Sequence, residues 1–464
     1  EKEIGYSDII ALRAAPRGWA SYPCARAEWG QRPLLAFTAP TTSTTGRSLL
    51  IALYSFAAGK PPERLTLEDV NDPSVVAYVK DFQKLIDHYL IGTTVLNTKI
   101  YQGPRYGHFF IMPEDNLIHL YEGTEQAFIN GKRVIAPPIS QRMVMIYPKE
   151  GSMPRSNCAC IVQADWVTAE QVEAAQKWIN FILEDERQRS FMAAGFRPGT
   201  DIPLTDPASK ISGKYGLDPS TPKVVLNPSL IDPAVAVAID QSWQDVKKPG
   251  IVTFVVDISS SMKGAKLQQA EDGLIRALDS MARNNQVGLV TFNDTINTRI
   301  PVAPLAENRL KVADAVHGAR AQGEGALYEA IQAGAEMTDA VAGEEDAIRA
   351  VVVLTDGQAN RCQTELDDLI QMMSRDEVAI AQFNGCQGSP LAVDKNGRGV
   401  EKKDLIGTGL AMKTRYPIQI FFIGIGEDVD IEVGRMLAEA TGAEFQGTTE
   451  EDLANVLEEF SKYF

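Results

Sequence analysis

Hydroxyl and carboxylate side chains alternate in the segment DISSSMKG, residues 257–264. Asp257, Ser259 and Ser261 come directly after a run of apolar, mostly β-branched residues that is typical of a buried strand. In an extended turn this spacing lets all three side chains point at one spot, and hard oxygen donors of this kind suit Mg²⁺, Mn²⁺ or Ca²⁺. The segment predicts a divalent-cation site. The alternative is that Asp257 and Ser259 only cap the helix that follows.

A second carboxylate stands at the end of another apolar run. Asp356 lies in LTDGQAN, where it follows the strand-like residues 350–355. The carboxyl ends of adjacent parallel strands meet at one edge of a sheet, so Asp257 and Asp356 would face each other across one crevice. Because Mg²⁺ keeps its waters readily, we expect the serine hydroxyls to bind it directly and the carboxylates to bind it through water. One position then stays open for a carboxylate from a partner.

Strand-like and helical patterns alternate throughout residues 251–464. Strands are predicted at 251–257, 287–293, 350–356 and 418–426, and helices at about 265–283, 306–317, 326–341, 364–374, 431–441 and 450–462. This alternation is typical of a doubly wound, mostly parallel α/β sheet with helices on both faces. Such a sheet carries its sites beyond the carboxyl ends of its strands, which is where both candidate carboxylates fall.

These motifs are similar to those of the von Willebrand factor type A domain, whose fold is shared with integrin I domains. DISSSMKG resembles the metal-ion-dependent adhesion motif D-x-S-x-S of that family, and LTDGQAN resembles its T-D-G motif. Residues 420–428 and 440–460 resemble its last strand and helix. The resemblance implies an adhesion-type domain that binds Mg²⁺, Mn²⁺ or Ca²⁺ at Asp257, Ser259, Ser261 and Asp356.

One loop departs from the family pattern. Where the family has G-G-T-x-L-Y, this chain has GEGALY at residues 323–328, so Gly325 replaces the threonine that supplies a hydroxyl to the metal. Either the cation is held more weakly here, or the neighbouring Glu324 supplies a carboxylate instead. Glu324 is therefore an additional candidate ligand, and the alternative for it is a solvated loop residue.

The N-terminal half contains a hydroxyl-rich turn, PTTSTTG, ahead of a predicted helix at 47–58. Hydroxyl donors, backbone N–H groups and the positive end of the helix dipole together favour a small polar or anionic ligand. Plain capping of the helix is the alternative. The candidate ligand-binding residues are Thr42, Ser43, Thr44, Thr45 and Gly46. Further helices are predicted near 68–90 and 168–193.

Residues 1 to about 215 resemble bacterial extracellular solute-binding proteins, of the type fused ahead of von Willebrand factor type A domains in bacterial surface proteins. The similar segments are 5–10, 18–30, 40–46, the helix within 167–199 and the GFRP turn at 195–198. The resemblance implies two α/β lobes around a ligand cleft, which the hydroxyl-rich turn would face. It also implies that the chain begins inside the first lobe, because family members carry a further N-terminal segment.

A proline-rich stretch separates the two halves. Residues 217–233 contain four prolines, and a helix is predicted directly after them at about 234–246. We therefore expect a solute-binding-protein-like domain at 1–220, a linker with a helix at 221–249 and a von Willebrand factor type A domain at 250–464.

The composition argues against several classes of function. Asp and Glu number 61 against 45 Lys and Arg, a formal net charge of −16, which disfavours nucleic acid and anionic lipid as partners. The 4 histidines stand in no HxxxH or HxH spacing, which disfavours a zinc enzyme. The sequence has no G-x-S-x-G motif and no Walker loop. It also has no run of about 18 apolar residues, so no membrane-spanning segment is predicted.

Together these features predict a non-catalytic, extracellular or cell-surface binding protein that engages an acidic group of a protein partner through a divalent cation. The alternative is an ABC-transporter-type solute receptor, in which the N-terminal half captures a solute and the C-terminal half serves as a docking module. Cys362 and Cys386 lie in neighbouring polar stretches and are either a disulfide pair or two thiols, depending on the redox compartment.

Overall fold

The structure, a computed structural model, describes residues 3–464 apart from 23–24, 26–32, 102, 104–105, 130–131, 155, 221, 223, 345, 358, 360–368, 370–391, 394–398, 401–417 and 427. The pairing considered for Cys362 and Cys386 lies outside the described residues, as does almost all of the helix predicted at 364–374. Within the described residues, no helix has the length and apolar character needed to cross a bilayer.

The N-terminal half folds around a small parallel sheet. Its strands are β1 (Leu35–Thr38), β2 (Ile86–Leu90) and β3 (Phe109–Phe110), in the order β2–β1–β3, and a separate antiparallel pair is formed by β4 (Gln126–Ile129) and β5 (Lys132–Ile135). The helices of this half are α1 (Tyr6–Ala14), α2 (Thr44–Ala58), α3 (Leu67–Asn71), α4 (Pro73–Gln83), α5 (Thr93–Ile100), α6 (Glu114–Glu122), α7 (Ala169–Ile182) and α8 (Asp185–Ala193).

The single helix predicted at 68–90 is wrong, because this segment forms two helices followed by a strand. Asp72 caps α4 by accepting a hydrogen bond from the Ser74 N–H at 2.7 Å, and Pro73 fits the first turn of a helix but cannot continue one. Strand β2 then pairs with β1 and is buried at Ile86 and Tyr89. A segment as short as β2, in which polar and apolar residues are mixed, does not by its pattern distinguish a strand from the end of a helix.

Helix α9 (Pro233–Val246) joins the two halves of the chain. Its Trp243 packs against Phe37 of β1 and Tyr89 of β2, with ring centroids 6.3 and 5.3 Å apart. The helix predicted after the proline-rich stretch is therefore present, and it packs on the N-terminal sheet. The limits proposed for the two domains stay a prediction.

The C-terminal half is built on a larger sheet. The strands of this sheet are β6 (Gly250–Asp257), β7 (Gln286–Phe292), β8 (Ile296–Pro304), β9 (Ile348–Thr355), β12 (Gln419–Ile425) and β13 (Phe445–Thr448), and a separate short antiparallel pair is formed by β10 (Ala392–Val393) and β11 (Gly399–Val400). Its helices are α10 (Ala265–Ser280), α11 (Leu305–His317), α12 (Leu327–Asp339), α13 (Ile431–Ala440) and α14 (Leu453–Ser461). The order across the main sheet is β13–β12–β9–β6–β7–β8, and every neighbouring pair is parallel except β7 and β8.

Helices cover both faces of this sheet, because its central strands are apolar on both sides. Every residue of β6 and β9 is buried. Val252 and Phe254 of β6 pack in one apolar cluster with α10 and α14, whereas Val255 packs in a second cluster with α12 and α13. The predicted doubly wound, mostly parallel α/β fold with helices on both faces is confirmed.

Strand β8 is not apparent from the sequence pattern. It runs antiparallel to β7 at the edge of the sheet, and its residues mostly alternate between half-buried and exposed. An edge strand needs no continuous apolar run and tolerates proline, and β8 contains Pro301 and Pro304. Its alternation of polar and apolar residues is therefore easily taken for a loop.

The N-terminal half contacts the amino ends of the C-terminal strands. The contacts precede the strands in the chain: Arg13–Asp346 before β9 at 2.9 Å, Lys248–Ile86 before β6 at 2.6 Å and Lys99–Ala443 before β13 at 3.0 Å. Asp257 and Asp356 lie at the opposite, carboxyl end of the sheet. The edge that carries the candidate metal ligands is therefore the edge away from these contacts.

Candidate metal centre

Asp257 is the last residue of β6, and the chain turns directly after it. A short 3₁₀ helix, Ser260–Met262, follows, and α10 begins at Ala265. Gly264 allows this turn with a φ of +92°, a conformation that residues with a side chain rarely adopt. The turn thus keeps the hydroxyls of the D-x-S-x-S motif at the carboxyl end of the strand.

The parallel register of β6 and β9 brings the second carboxylate to the same place. Val256 of β6 lies opposite Leu354 of β9. Asp257 follows Val256 directly, and Asp356 comes two residues after Leu354. Asp257 is 2% exposed and Asp356 is 1% exposed. Both carboxylates are therefore buried at the same edge of the sheet.

Hydrogen bonds link the four candidate ligands in one network. Ser261 Oγ donates to Asp356 Oδ1 at 2.6 Å and lies 3.0 Å from Ser259 Oγ. The Ser259 N–H donates to Asp257 Oδ1 at 2.8 Å, and Thr355 Oγ1 donates to Asp257 Oδ2 at 2.6 Å. The structure therefore brings the four residues predicted from the two motifs together.

The separation of the two serine hydroxyls matches that of neighbouring ligands around a small divalent cation. When Mg²⁺ binds oxygens octahedrally at about 2.1 Å, neighbouring ligand oxygens lie about 3.0 Å apart. The hydroxyls of Ser259 and Ser261 have this separation, 3.0 Å. In the part of the chain that the structure describes, no three His, Cys, Asp or Glu side chains group as a metal site, so a site here needs hydroxyl donors as well. The role of these residues as ligands stays a prediction.

Buried negative charge is concentrated at this centre. Burial raises the pKa of Asp257, and the nearby carboxylate of Asp356 raises it further, while hydrogen bonds from Thr355 and Ser259 oppose the shift. A divalent cation would stabilise both carboxylates in their charged forms. Ser261, in contrast, is exposed, so a cation held here has access to solvent on the side of Ser261.

Two residues at the centre are not among the predicted ligands: Lys266 lies outside both motifs, and Thr355 is the threonine of the T-D-G motif. Lys266, in the first turn of α10, donates to Asp356 Oδ2 at 2.6 Å, and Thr355 is the donor to Asp257 described above. The sequence signal for Lys266 is a cation in the first turn of a helix, where the helix dipole disfavours positive charge unless a carboxylate lies near. The sequence signal for Thr355 is its place in the T-D-G motif, directly before Asp356.

The loop that contains Glu324 and Gly325 lies against the turn after β6. The backbone oxygen of Gly323 accepts the Ser260 N–H at 2.9 Å, and the Glu324 N–H donates to Asp294 Oδ1 at 3.1 Å. Glu324 is exposed and Gly325 is buried. The structure thus brings the backbone of this loop to the centre, and a ligand role for Glu324 stays a prediction.

The hydroxyl-rich turn of the N-terminal half overlaps the start of α2, because this helix begins at Thr44 and not, as predicted, after Gly46. Ser43 Oγ accepts a hydrogen bond from Thr38 Oγ1 at 2.9 Å and caps no helix N–H. Gly46 is required by packing, because an added Cβ would lie 2.0 Å from the backbone oxygen of Thr38. Thr42 and Thr44 are exposed. A polar-ligand role for this turn stays a prediction.

The C-terminal half matches a known family. The family model of the von Willebrand factor type A domain matches residues 252–461. Inter-alpha-trypsin inhibitor heavy chain H4 of Sus scrofa is 31% identical over 119 residues, which are 25% of this chain and 13% of that protein. Heavy chain H3 of Bos taurus is 28% identical over 120 residues, 24% of this chain and 13% of that protein. The match thus spans only a small part of these curated relatives.

Solved structures match parts of this chain. The von Willebrand factor type A structure from Catenulispora acidiphila has a TM-score of 0.33 and 17% identity, and the match covers 47% of this chain and 42% of that one. The pilus adhesin SpaC from Lactobacillus rhamnosus GG, in its open conformation, has a TM-score of 0.33 and 15% identity over 46% of this chain and 30% of that one. From its sheet topology and its match to the family model, the C-terminal half of this chain contains a von Willebrand factor type A domain.

Proposed function

We propose that this chain is a non-catalytic binding protein that works outside the cell or at its surface. Its C-terminal domain would hold Mg²⁺, or else Mn²⁺ or Ca²⁺, and use the cation to bind an acidic group of a protein partner. The observation that carries the proposal is the hydrogen-bonded network of candidate ligands at the carboxyl end of the sheet. Its members are Asp257, Ser259, Ser261 and Asp356.

The domain family supports the coarser part of this proposal. Von Willebrand factor type A domains bind protein partners and commonly bind a divalent metal at a site with this motif. Proteins that contain them are generally not enzymes. Ser259 and Ser261 stand beside Asp257, and the described residues that form hydrogen bonds with them include no histidine, which fits binding better than nucleophilic catalysis.

The donor set favours a cation that binds a further anion. Neutral hydroxyls from Ser259 and Ser261 would contact the metal directly, and the carboxylates of Asp257 and Asp356 would hold it through water. Little negative charge then contacts the metal, so the cation keeps most of its attraction for an acidic side chain. The exposed side of the centre, at Ser261, is where such a group would enter.

The proposal is tested by titrating Mn²⁺ and Mg²⁺ into metal-stripped full chain and into Asp257→Asn. We expect the parent to bind one divalent cation and to gain thermal stability with it. Asp257→Asn should lower the affinity at least about tenfold, a loss of about 1.4 kcal/mol or more, because one of the two buried charges that attract the cation is removed. Calorimetry and thermal unfolding measure the two effects independently.

The matched control is Asp314→Asn, which removes an exposed carboxylate on α11 outside the centre and should bind as the parent does. Equal affinity in the parent and in Asp257→Asn would contradict the site. Glu324→Gln separates the two interpretations of the loop. A loss like that of Asp257→Asn would make Glu324 a ligand, whereas parent-like affinity would make it a solvated residue.

A further inference from the structure

Lys266 places a fixed positive charge at the candidate metal centre. Its ammonium donates to Asp356 Oδ2 at 2.6 Å, and in this ion pair the lysine side chain is 20% exposed and the aspartate side chain is fully buried. Lys266 lies in the first turn of α10, where the helix dipole disfavours a cation. The carboxylate must therefore offset both the dipole and the partial desolvation of the ammonium.

Both oxygens of Asp356 are occupied in this arrangement. Oδ1 accepts from Ser261 and Oδ2 accepts from Lys266. The hydroxyl of Ser261 can turn its lone pairs to a metal and still contact the carboxylate, but the ammonium has no lone pair and only repels a second cation. A divalent cation that draws on Asp356 therefore competes with Lys266.

We propose that Lys266 is the resident counter-cation of this centre: its ammonium neutralises Asp356 when no divalent cation is bound, and it gives up Asp356 Oδ2 when one binds. The inference rests on the proposed function, since it concerns the same centre. It adds a regulatory role for a residue outside the D-x-S-x-S and T-D-G motifs. Lys266 lowers the affinity for metal and keeps the metal-free domain stable.

Lys266→Met tests this role in the full chain, because methionine keeps most of the apolar stem and removes the charge. In EDTA, we expect this variant to unfold at a lower temperature than the parent, because Asp356 is left buried without its counter-charge. We expect Mn²⁺ to bind about tenfold more tightly, because the competing charge a few ångströms away is gone. The rise in unfolding temperature on adding Mn²⁺ should therefore be larger than in the parent.

Two further variants serve as controls. Lys263→Met makes the same change of charge at an exposed residue three positions earlier, so it should behave as the parent in both assays. Lys266→Arg keeps the positive charge and should stay close to the parent in metal affinity. If Lys266→Met folds poorly in EDTA, the comparison of Lys266→Arg with Lys266→Gln, in excess Mn²⁺ and after its removal, measures the same competition.

The outcomes separate this inference from the proposed function. If the parent binds Mn²⁺ and Lys266→Met binds it equally or more weakly, Lys266 only positions Asp356 and the inference fails, while the metal site stands. If only Lys266→Met binds, the inference is supported and the proposed function of the parent fails. If no variant binds Mn²⁺, both fail together.

Discussion

Helices α7 and α10, one in each half of the molecule, have similar lengths, but α10 is packed against the core and α7 is exposed. α10 has 16 residues, packs on α14 and buries Ala270, Leu274 and Leu278 among others. α7 has 14 residues and buries none, although it is also amphipathic. An apolar stripe therefore predicts that a helix forms, but it does not predict whether the stripe is covered.

The exposed stripe of the N-terminal half is made of large side chains. Trp178 and Phe181 of α7 are 58% and 46% exposed, and Trp166, just before the helix, is 72% exposed. Burial of such side chains is what stabilises most helices in proteins, since isolated helices of this length are marginal in water. The segment around α7 should therefore contribute less to stability than the C-terminal sheet, and the following changes test that difference.

The largest effect is expected from equal truncations in the two regions. Phe254→Ala, in the centre of the C-terminal sheet, should lower the free energy of unfolding by about 3–5 kcal/mol, because it leaves a cavity beside β6. Phe181→Ala, on α7, should cost about 0.5 kcal/mol or less, since that ring already contacts water. Denaturant unfolding measures both, and costs that differ by less than about 1 kcal/mol would refute the contrast.

An intermediate effect is expected from pH. His108 Nδ1 accepts the Leu34 N–H at 2.8 Å and the Trp19 Nε1–H at 3.3 Å, and burial lowers its pKa to about 4. Because the folded-state pKa lies below the unfolded value of about 6.5, this histidine contributes full stability above pH 6.5 and loses it as pH falls towards 4. We expect a loss of about 1–2 kcal/mol, which is less than the full linkage value because the ring is partly exposed.

The variant His108→Asn keeps an acceptor near Nδ1 but cannot be protonated in this range. Unfolding in urea at pH 7 and pH 4.5 should therefore show a smaller pH dependence in the variant than in the parent. At Asp257 of the metal-free C-terminal half, the pH dependence of stability has the opposite sign. Burial raises the pKa of this carboxyl, so its protonation at low pH favours the folded state. Equal pH dependence in parent and variant would show that His108 does not contribute to the loss of stability at low pH.

The smallest effect is expected at the start of α7. Thr168 and Gln171 form a capping box, in which Thr168 Oγ1 accepts the Gln171 N–H at 3.3 Å and the Thr168 N–H donates to Gln171 Oε1 at 2.8 Å. Thr168→Ala should cost the helix about 1 kcal/mol, yet change global unfolding by only a few tenths, because α7 is not part of a core. Amide hydrogen exchange should become about fivefold faster in α7 and stay unchanged in α10. A matching loss of global stability would indicate that α7 is packed.

The sequence predicts the parts of the fold that are buried on both sides. Strands β6 and β9 are continuous apolar runs because helices cover both faces, and the predicted ranges differ from the observed ones by one or two residues. Strand β8 escapes prediction because only one of its faces is covered. Strand β2 is mistaken for the end of a helix, since its burial depends on pairing with β1.

The sequence predicts those residues of the candidate centre that stand at the ends of strand-like segments, and it does not predict the residue that reaches the centre from a helix. Asp257 and Asp356 each end an apolar run, so their meeting follows from the parallel order of the strands. The approach of Lys266 depends on how the first turn of α10 is oriented over β9, which no local pattern encodes. A contact between a long side chain of a helix and a neighbouring strand depends on tertiary packing, so the structure is needed to find it.

The arrangement of the two halves has a mechanical consequence. The N-terminal half is attached at the amino end of β6, and the candidate metal centre lies at its carboxyl end, with β7 and β9 paired along both sides of the strand. A pull between a partner held at the centre and the chain before residue 250 would therefore run lengthwise along β6. The hydrogen bonds to β7 and β9 would share this load in shear and would have to break together, whereas a force applied to the edge strand β8 would peel its bonds one after another.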